Sequence, residues 1–295
     1  MRHAYLILCH TDPYVLNTLV RMLDVKHNDI YVLPDKKSPE ALTKNLKTEY
    51  ADLKVIPKNK RIDVRWGDET QIKAELTGFE QVINGGEYDY IHLLSGQDLP
   101  IKSQDKITEF FSKFPKGTNF IGLAQGEFNK SDLRNKTEYR HYFLKYFRHK
   151  SRIITIFSKI ARRSLLEFQK ILKHKRKWQL PLYKGCNWVS ITPECAKYIV
   201  DRREEILKIF KGVPCADEIY KQSIIMSSPL KNTLFSTDMD FAGNTRKIDW
   251  ERGKPYTWHK EDLGELLDSD ALFARKFNSS VDKEIIDKIE SMISR

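Results

Sequence analysis

Five short apolar runs lie within the first 125 residues, at Ala4–Cys9, Ile30–Leu33, Leu53–Ile56, Tyr88–Leu94 and Asn119–Leu123. Few of their positions alternate apolar with polar, so they read as strands covered on both faces. Helical patterns fill the gaps between them, at Tyr14–Leu23, Pro39–Lys47, Glu69–Ile83 and Gln104–Phe114. A β-α-β-α succession of this kind folds into a mostly parallel central sheet with helices on both faces. No repeat, low-complexity tract or linker interrupts the chain, so its 295 residues are expected to form a single α/β domain.

The longest apolar stretch near the N-terminus, YLILC, is too short for a secretory core and reads as the first strand. No run approaches the length of a spanning helix. Four cysteines, Cys9, Cys186, Cys195 and Cys215, show neither C-x-x-C nor zinc spacing. They are expected to be free thiols in a reducing compartment.

Charge is unevenly placed. Residues 144–184 hold thirteen lysines and arginines against one acid, Glu167, a local charge of +12. The rest of the chain therefore carries −1 of the net +11. Within this segment Ile153, Ile156, Phe157, Ile160, Leu165, Phe168 and Leu172 recur at helical spacing, which predicts a basic helical excursion. Such a helix could be a solvated face, a phosphate-binding patch for nucleic acid, or an element lying on an anionic membrane. Because the charge is one excursion on a near-neutral fold, the membrane is favoured over nucleic acid.

Further along, KGCNWVSIT predicts a strand, and Thr192 with Pro193 an N-cap and first helical residue. Asp217–Met226 is a helix candidate. The C-terminal stretch has Val281, Ile285, Ile289 and Ile293 on one stripe, with Ser279 and Asp282 as a candidate capping box.

Dinucleotide, P-loop, zincin and hydrolase signatures are all absent. What remains are small constellations with two readings each. Ser95–Asp98, SGQD, is either a tight turn or the floor of a pocket at a strand end. Many nucleotide-sugar enzymes hold a divalent metal there with Asp-x-Asp. Here Gly96 stands in the first position, leaving Asp98 alone, a poor site for a hard cation. Arg275 and Lys276, between Phe273 and Phe277, are either a solvated pair or two cations for a diphosphate. Asp217 reads as a helix-terminal acid, while Glu218 beside it could serve as a general base. The amide and ring of KGCNW, Asn187 and Trp188, suit a sugar site, though Trp188 alone could equally be core packing, and IDWERGKPY supplies another aromatic, Trp250, with a turn.

Taken in order, HTDP, DKKS, RWGDET, YDYIHLLSGQDLPIKS, KGCNWVSIT, DEIYKQSI, IDWERGKPY and LFARKF resemble the core-2/I-branching β-1,6-N-acetylglucosaminyltransferases and peptide O-xylosyltransferases. The likeness runs from about Ala4 to Ile293 and weakens only through the basic segment. It implies a GT-A-type fold, a UDP-sugar donor and inversion, with no divalent metal and no other cofactor required. By position, Arg275 and Lys276 match the basic pair on the donor diphosphate, and Glu218 the catalytic base. Cys9, His10, Asp35 and Asp98 match the donor side, and Asn187, Trp188 and Trp250 the acceptor or sugar side. The resemblance divides the chain into a nucleotide-binding half at 1–125, the basic segment at 144–184, and an acceptor and diphosphate half at 185–295.

The xylosyl branch carries an acid where this chain has Asn187, which shifts the base to Glu218 and favours GlcNAc over xylose as the sugar. With neither an anchor nor a disulfide framework evident, the chain looks like a bacterial relative, cytoplasmic or peripheral on the inner face of the membrane. It would build a glycan, or act on a lipid-linked saccharide. The rival expectations are a xylosyltransferase using UDP-xylose, an anionic-surface or nucleic-acid binding module, and an inactive sugar-binding relative.

Overall fold

The computed structural model describes residues 1–237 and 242–293. Its strands are β1 (His3–Cys9), β2 (Asn28–Pro34), β3 (Asp52–Val55), β4 (Tyr90–Ser95), β5 (Asp98–Pro100), β6 (Ser190–Ile191), β7 (Arg246–Ile248) and β8 (Phe273–Arg275). A five-stranded sheet runs β3-β2-β1-β4-β6, with only β6 antiparallel to its neighbour. Along β1, Tyr5, Ile7 and Cys9 enter one core and Ala4 and Leu6 the other. Tyr90 and Leu94 of β4 are divided from Ile91 and Leu93 in the same way. Both faces are covered, which is why these strands read as unbroken apolar runs.

Helices α1 (Pro13–Met22), α2 (Thr70–Ile83), α3 (Gln104–Ser112), α4 (Gly126–Thr137), α5 (Arg152–Ile171), α6 (Pro193–Val200), α7 (Arg203–Ile209), α8 (Tyr220–Met226), α9 (Leu263–Leu267) and α10 (Glu284–Ile293) surround the sheets. α1, α3 and α10 supply one core, and α2, α6 and α8 the other. Thr192 caps α6 by accepting from the Cys195 N–H, with Pro193 first in the helix, as the sequence predicts. At α10 the expected capping box is replaced. Asp282 accepts from the Ile285 N–H, while Ser279 donates through its N–H and hydroxyl to Asp12. That bond ties the C-terminal segment to the start of α1, and Arg21 of α1 grips Glu290 through two nitrogens.

Three sequence-predicted elements are shorter than expected. Pro39–Lys47 keeps only a 3-10 turn at Glu40–Leu42, where Leu42 is the buried side chain, too little apolar surface to hold a full helix. Asn119–Leu123 makes isolated bridges to Leu234 and Ser190 rather than a strand. Within KGCNWVSIT only Ser190–Ile191 joins the sheet.

A second sheet, β5-β8-β7, pairs Asp98 with Arg275 and brings the C-terminal part of the chain to the end of β4. In the first sheet the connections leave β1 toward β2 on one side and reach β4 on the other. The crevice outside the carboxyl ends of β1 and β4 is thus a topological switch point, the usual place for a ligand in an open α/β sheet. All four cysteines are unpaired. Among the described residues, no helix is long and apolar enough to cross a membrane.

Candidate active site

The floor of the switch-point crevice is the Ser95–Asp98 turn. Gly96 donates its N–H to Leu8 O at 2.9 Å, and a Cβ placed on it would lie 2.7 Å from the Cβ of Cys9. A side chain there would force the Cys9 strand end to shift, which works against the first acid of an Asp-x-Asp pair. Asp98 accepts from the Ser95 N–H (2.8 Å) through Oδ2 and from Arg275 Nη1 (2.7 Å) through Oδ1. The carboxylate is fully buried, beneath the crevice rather than on its surface. Burial pushes its pKa up, against the pull of Arg275 and the Ser95 N–H. SGQD is a tight turn between β4 and β5, placed at the end of β4 beside the switch point. Both oxygens of Asp98 are taken by Ser95 and Arg275, so it holds Arg275 from below.

Arg275 sits 17% exposed, with its guanidinium 4.5 Å from the centre of the Trp188 ring. Buried Trp258 fixes the backbone around it: the indole N–H donates to Arg275 O (2.9 Å) and the main-chain N–H to Lys276 O (3.0 Å). Phe273 and Phe277 are fully buried on either side. The aromatic residues thus pin this stretch, while Arg275 and Lys276, joined by a cis peptide bond, stay partly exposed. The Lys276 ammonium makes no ion pair or hydrogen bond among the described residues.

At the rim, the Asp35 N–H donates to Cys9 O at 2.8 Å, locking the end of β2 to that of β1. Lys37 pairs with Asp35 at 3.2 Å and reaches Asp63. His10 has its pKa lowered by partial desolvation; Asp35 opposes this, and Arg275 and Lys37 add to it. His10, Asp35 and Arg275 are therefore electrostatic neighbours around one crevice. Cys9 borders it only through its backbone, because the thiol is packed inside and burial pushes its pKa up to about 12.

The stretch Gly185–Trp188 joins this crevice to Glu218. Gly185 donates its N–H to Glu218 O at 2.9 Å, and a Cβ on Gly185 would fall 1.8 Å from Gly122 O. Only glycine lets the strand pass so close. The Cys186 thiol, raised to about 11 by burial, feels the charges of both Arg275 and Glu218. Glu218 is 31% exposed and accepts from Lys136 at 2.9 Å through Oε2. Its Oε1 accepts no bond among the described residues. Lys136 and Lys184 share Asp132, at 2.8 and 2.6 Å.

Asp217 does not cap a helix. It is buried and accepts from Gln71 Nε2 at 2.9 Å, and its other oxygen has no hydrogen-bond partner among the described residues. Burial, Glu218 and Glu75 raise its pKa to about 8, with Lys221 opposing. Asn187 turns its carbonyl oxygen to buried Lys221 (2.6 Å), which pairs with Glu75. Asn187 is itself half-buried, and this bond fixes its orientation between Lys221 and the site. Trp250 is exposed in the loop after β7, and none of the contacts above depends on it.

Sequence reasoning missed Arg246, which donates to Ser190 Oγ (2.7 Å) and Val189 O (2.9 Å) and lies 4.9 Å from the centre of the Phe273 ring. Fully desolvated, it is lowered to about 10 and rivets the two sheets together behind Arg275. Nothing in the local sequence separates it from the chain's many other cations. Lys136 was missed for the same reason.

The family model described as Core-2/I-Branching enzyme matches residues 3–267. A xylosyltransferase of Ciona intestinalis is 23% identical over 98% of this chain and 34% of its own length. The Arabidopsis thaliana beta-glucuronosyltransferase GlcAT14B is 24% identical over 70% of this chain and 44% of its own. This chain thus spans less than half the length of these relatives. Among solved structures, galactosyltransferase LgtC overlaps with a TM-score of 0.43 at 9% identity, covering 99% of this chain and 96% of that one, too loosely to place any residue.

Proposed function

The chain belongs to the Core-2/I-branching enzyme family, and from that premise we propose that it moves a sugar from a UDP-sugar to a glycan hydroxyl, with inversion. One connection in the geometry supports this reading. Gly185–Trp188 bonds to Glu218 at one end and lays Trp188 against Arg275 at the other. The residues that carry the carboxylate and the cation are tied, one through its main chain, to the two ends of one short segment. Glu218 Oε1 takes the proton of the acceptor hydroxyl while Lys136 keeps Oε2 in place. Arg275 and Lys276 receive the charge that collects on the departing UDP. Each such fixed donor contributes about 3–4 kcal/mol of barrier reduction. His10 and Asp35 border the nucleoside, and the faces of Trp188 and Trp250 suit sugar C–H groups.

We read the reaction as independent of a divalent metal. Position 96 has no side chain, and both Asp98 oxygens are bonded within the protein, so this strand end offers no free carboxylate to a hard cation. GlcNAc is the first candidate sugar and a lipid-linked saccharide one class of acceptor. The xylosyltransferase named above, matched over nearly the whole chain, supports UDP-xylose equally; the glucuronosyltransferase adds UDP-glucuronate to the panel.

The test is initial-rate transfer from each of these donors in excess EDTA, with Glu218→Gln alongside the native chain. The variant keeps its UDP affinity and loses about 10²–10⁴-fold in turnover. Normal turnover by the variant removes Glu218 from the role. No transfer or donor hydrolysis with any UDP-sugar overturns the reading.

A further inference from the structure

Helix α5 is set on the body the wrong way round for a water-facing helix. On the face turned inward the fully buried side chains are polar, with Leu165 and Leu166 half-buried beside them. Ser158 Oγ donates to Tyr146 O at 3.2 Å, and Arg162 lies 4.3 Å from the centre of the Phe147 ring. Gln169 exchanges two bonds with the backbone of Arg140, at 2.9 and 3.2 Å. Ser158 and Gln169 are the buried side chains of the helix. The opposite face carries Ile153, Phe157, Ile160, Phe168 and Ile171, between 58% and 77% exposed. An amphipathic helix packed on a globular body normally shows the reverse arrangement.

One border of this apolar stripe is basic. At 100° per residue, Arg152, Lys159, Arg163 and Lys170 fall within a narrow arc beside it. The run Lys173, Lys175, Arg176 and Lys177 continues the positive charge past the helix end. There Lys173, Lys175, Lys177 and Arg140 line a cavity of about 720 Å³.

We propose that α5 lies in the plane of an anionic lipid surface, with its apolar face among the acyl chains and its basic border at the headgroups. The chemistry of the patch selects this occupant. A second copy of the chain would bring together two segments each carrying +12. A nucleic acid would satisfy the cations but leave Ile153, Phe157 and Ile160 in water. An anionic bilayer accepts both halves of the pattern, since lysine and arginine stems reach from the apolar layer to the headgroups. This inference does not depend on the reaction proposed above.

The experiment is co-sedimentation of the full chain with vesicles of phosphatidylcholine alone or mixed with phosphatidylglycerol. Binding is expected to be at least tenfold tighter on the mixed vesicles and to weaken as salt rises. Phe157→Glu with Ile160→Glu lowers that binding at least tenfold while leaving the thermal midpoint unchanged. Lys159→Glu with Arg163→Glu removes the preference for the anionic lipid. A native chain that stays in the supernatant with both vesicles overturns the proposal, as does a Phe157/Ile160 variant that binds undiminished. So does a native dimer that the same variant converts to monomer, since a second copy would then cover the face.

Discussion

Replacing Asp98 with asparagine tests whether the carboxylate works through Arg275. The change keeps the shape and removes the charge. The single remaining oxygen can accept from the Ser95 N–H or from Arg275 Nη1, but not from both as the carboxylate does. Removing one partner of a buried ion pair costs roughly 3–5 kcal/mol. Arg275 keeps 17% of its side chain in water, which recovers part of its hydration and puts the expected loss near ~3 kcal/mol. The guanidinium is then held only by its contact with Trp188, worth about 0.5–2 kcal/mol. A cation so loosely held should bind UDP roughly tenfold to hundredfold more weakly, about 1.4–2.8 kcal/mol. The assay is isothermal titration with UDP on Asp98→Asn, Arg275→Met and the double variant, with urea unfolding on the same set. If Asp98 acts through Arg275, its effect on UDP affinity vanishes in the Arg275→Met background. Losses that add to within about 0.5 kcal/mol would refute the argument, because independent sites behave that way.

Two further outcomes follow from the packing. Gly96→Ala should destabilise the fold by about 1–3 kcal/mol in urea unfolding. Cys9→Ala should not rescue it, because the 2.7 Å contact is with the Cys9 Cβ, which alanine retains; full rescue would show that the clash is not the cause. Asp217, with its folded pKa raised to about 8, binds a proton in the native state that the unfolded chain has already released, so its stabilising contribution is complete at low pH and is lost as pH rises through about 8. Asp217→Asn should therefore flatten the fall in thermal midpoint between pH 5 and pH 8, and an unchanged slope would assign the fall to another group.

The parts of the fold that sequence made legible are those where one local rule decides. Tyr5–Cys9 and Tyr90–Leu94 are buried on both faces, and a run of apolar residues records that directly. Thr192–Pro193 starts α6 by a side chain reaching three residues along. The capping box at Ser279 failed because a partner distant in sequence, Asp12, claims the serine, which no local pattern reveals. Arg246 and the Lys221–Glu75 pair were illegible for the same reason. A buried charge is written as an ordinary lysine or arginine, and only the sheet on either side makes it a rivet.

The site shows the same division at closer range. Gly96 is readable as a departure from Asp-x-Asp, but its cause, the Cβ of Cys9, lies on another strand. That cause has a chemical consequence. With position 96 empty, Asp98 is the one carboxylate at this turn, and β8 places Arg275 directly opposite it. The acid neutralises one unit of charge under the crevice and fixes a guanidinium whose other N–H groups remain to be used. Lys276 adds a cation without a protein partner among the described residues. On the proposed reading, the net charge this trio presents to a diphosphate is about one positive unit, delivered with fixed orientation. Preorganised donors of that kind need no rearrangement when charge develops on a leaving group, so under the proposed mechanism a single carboxylate spent on an arginine does more here than one left free to bind a cation poorly.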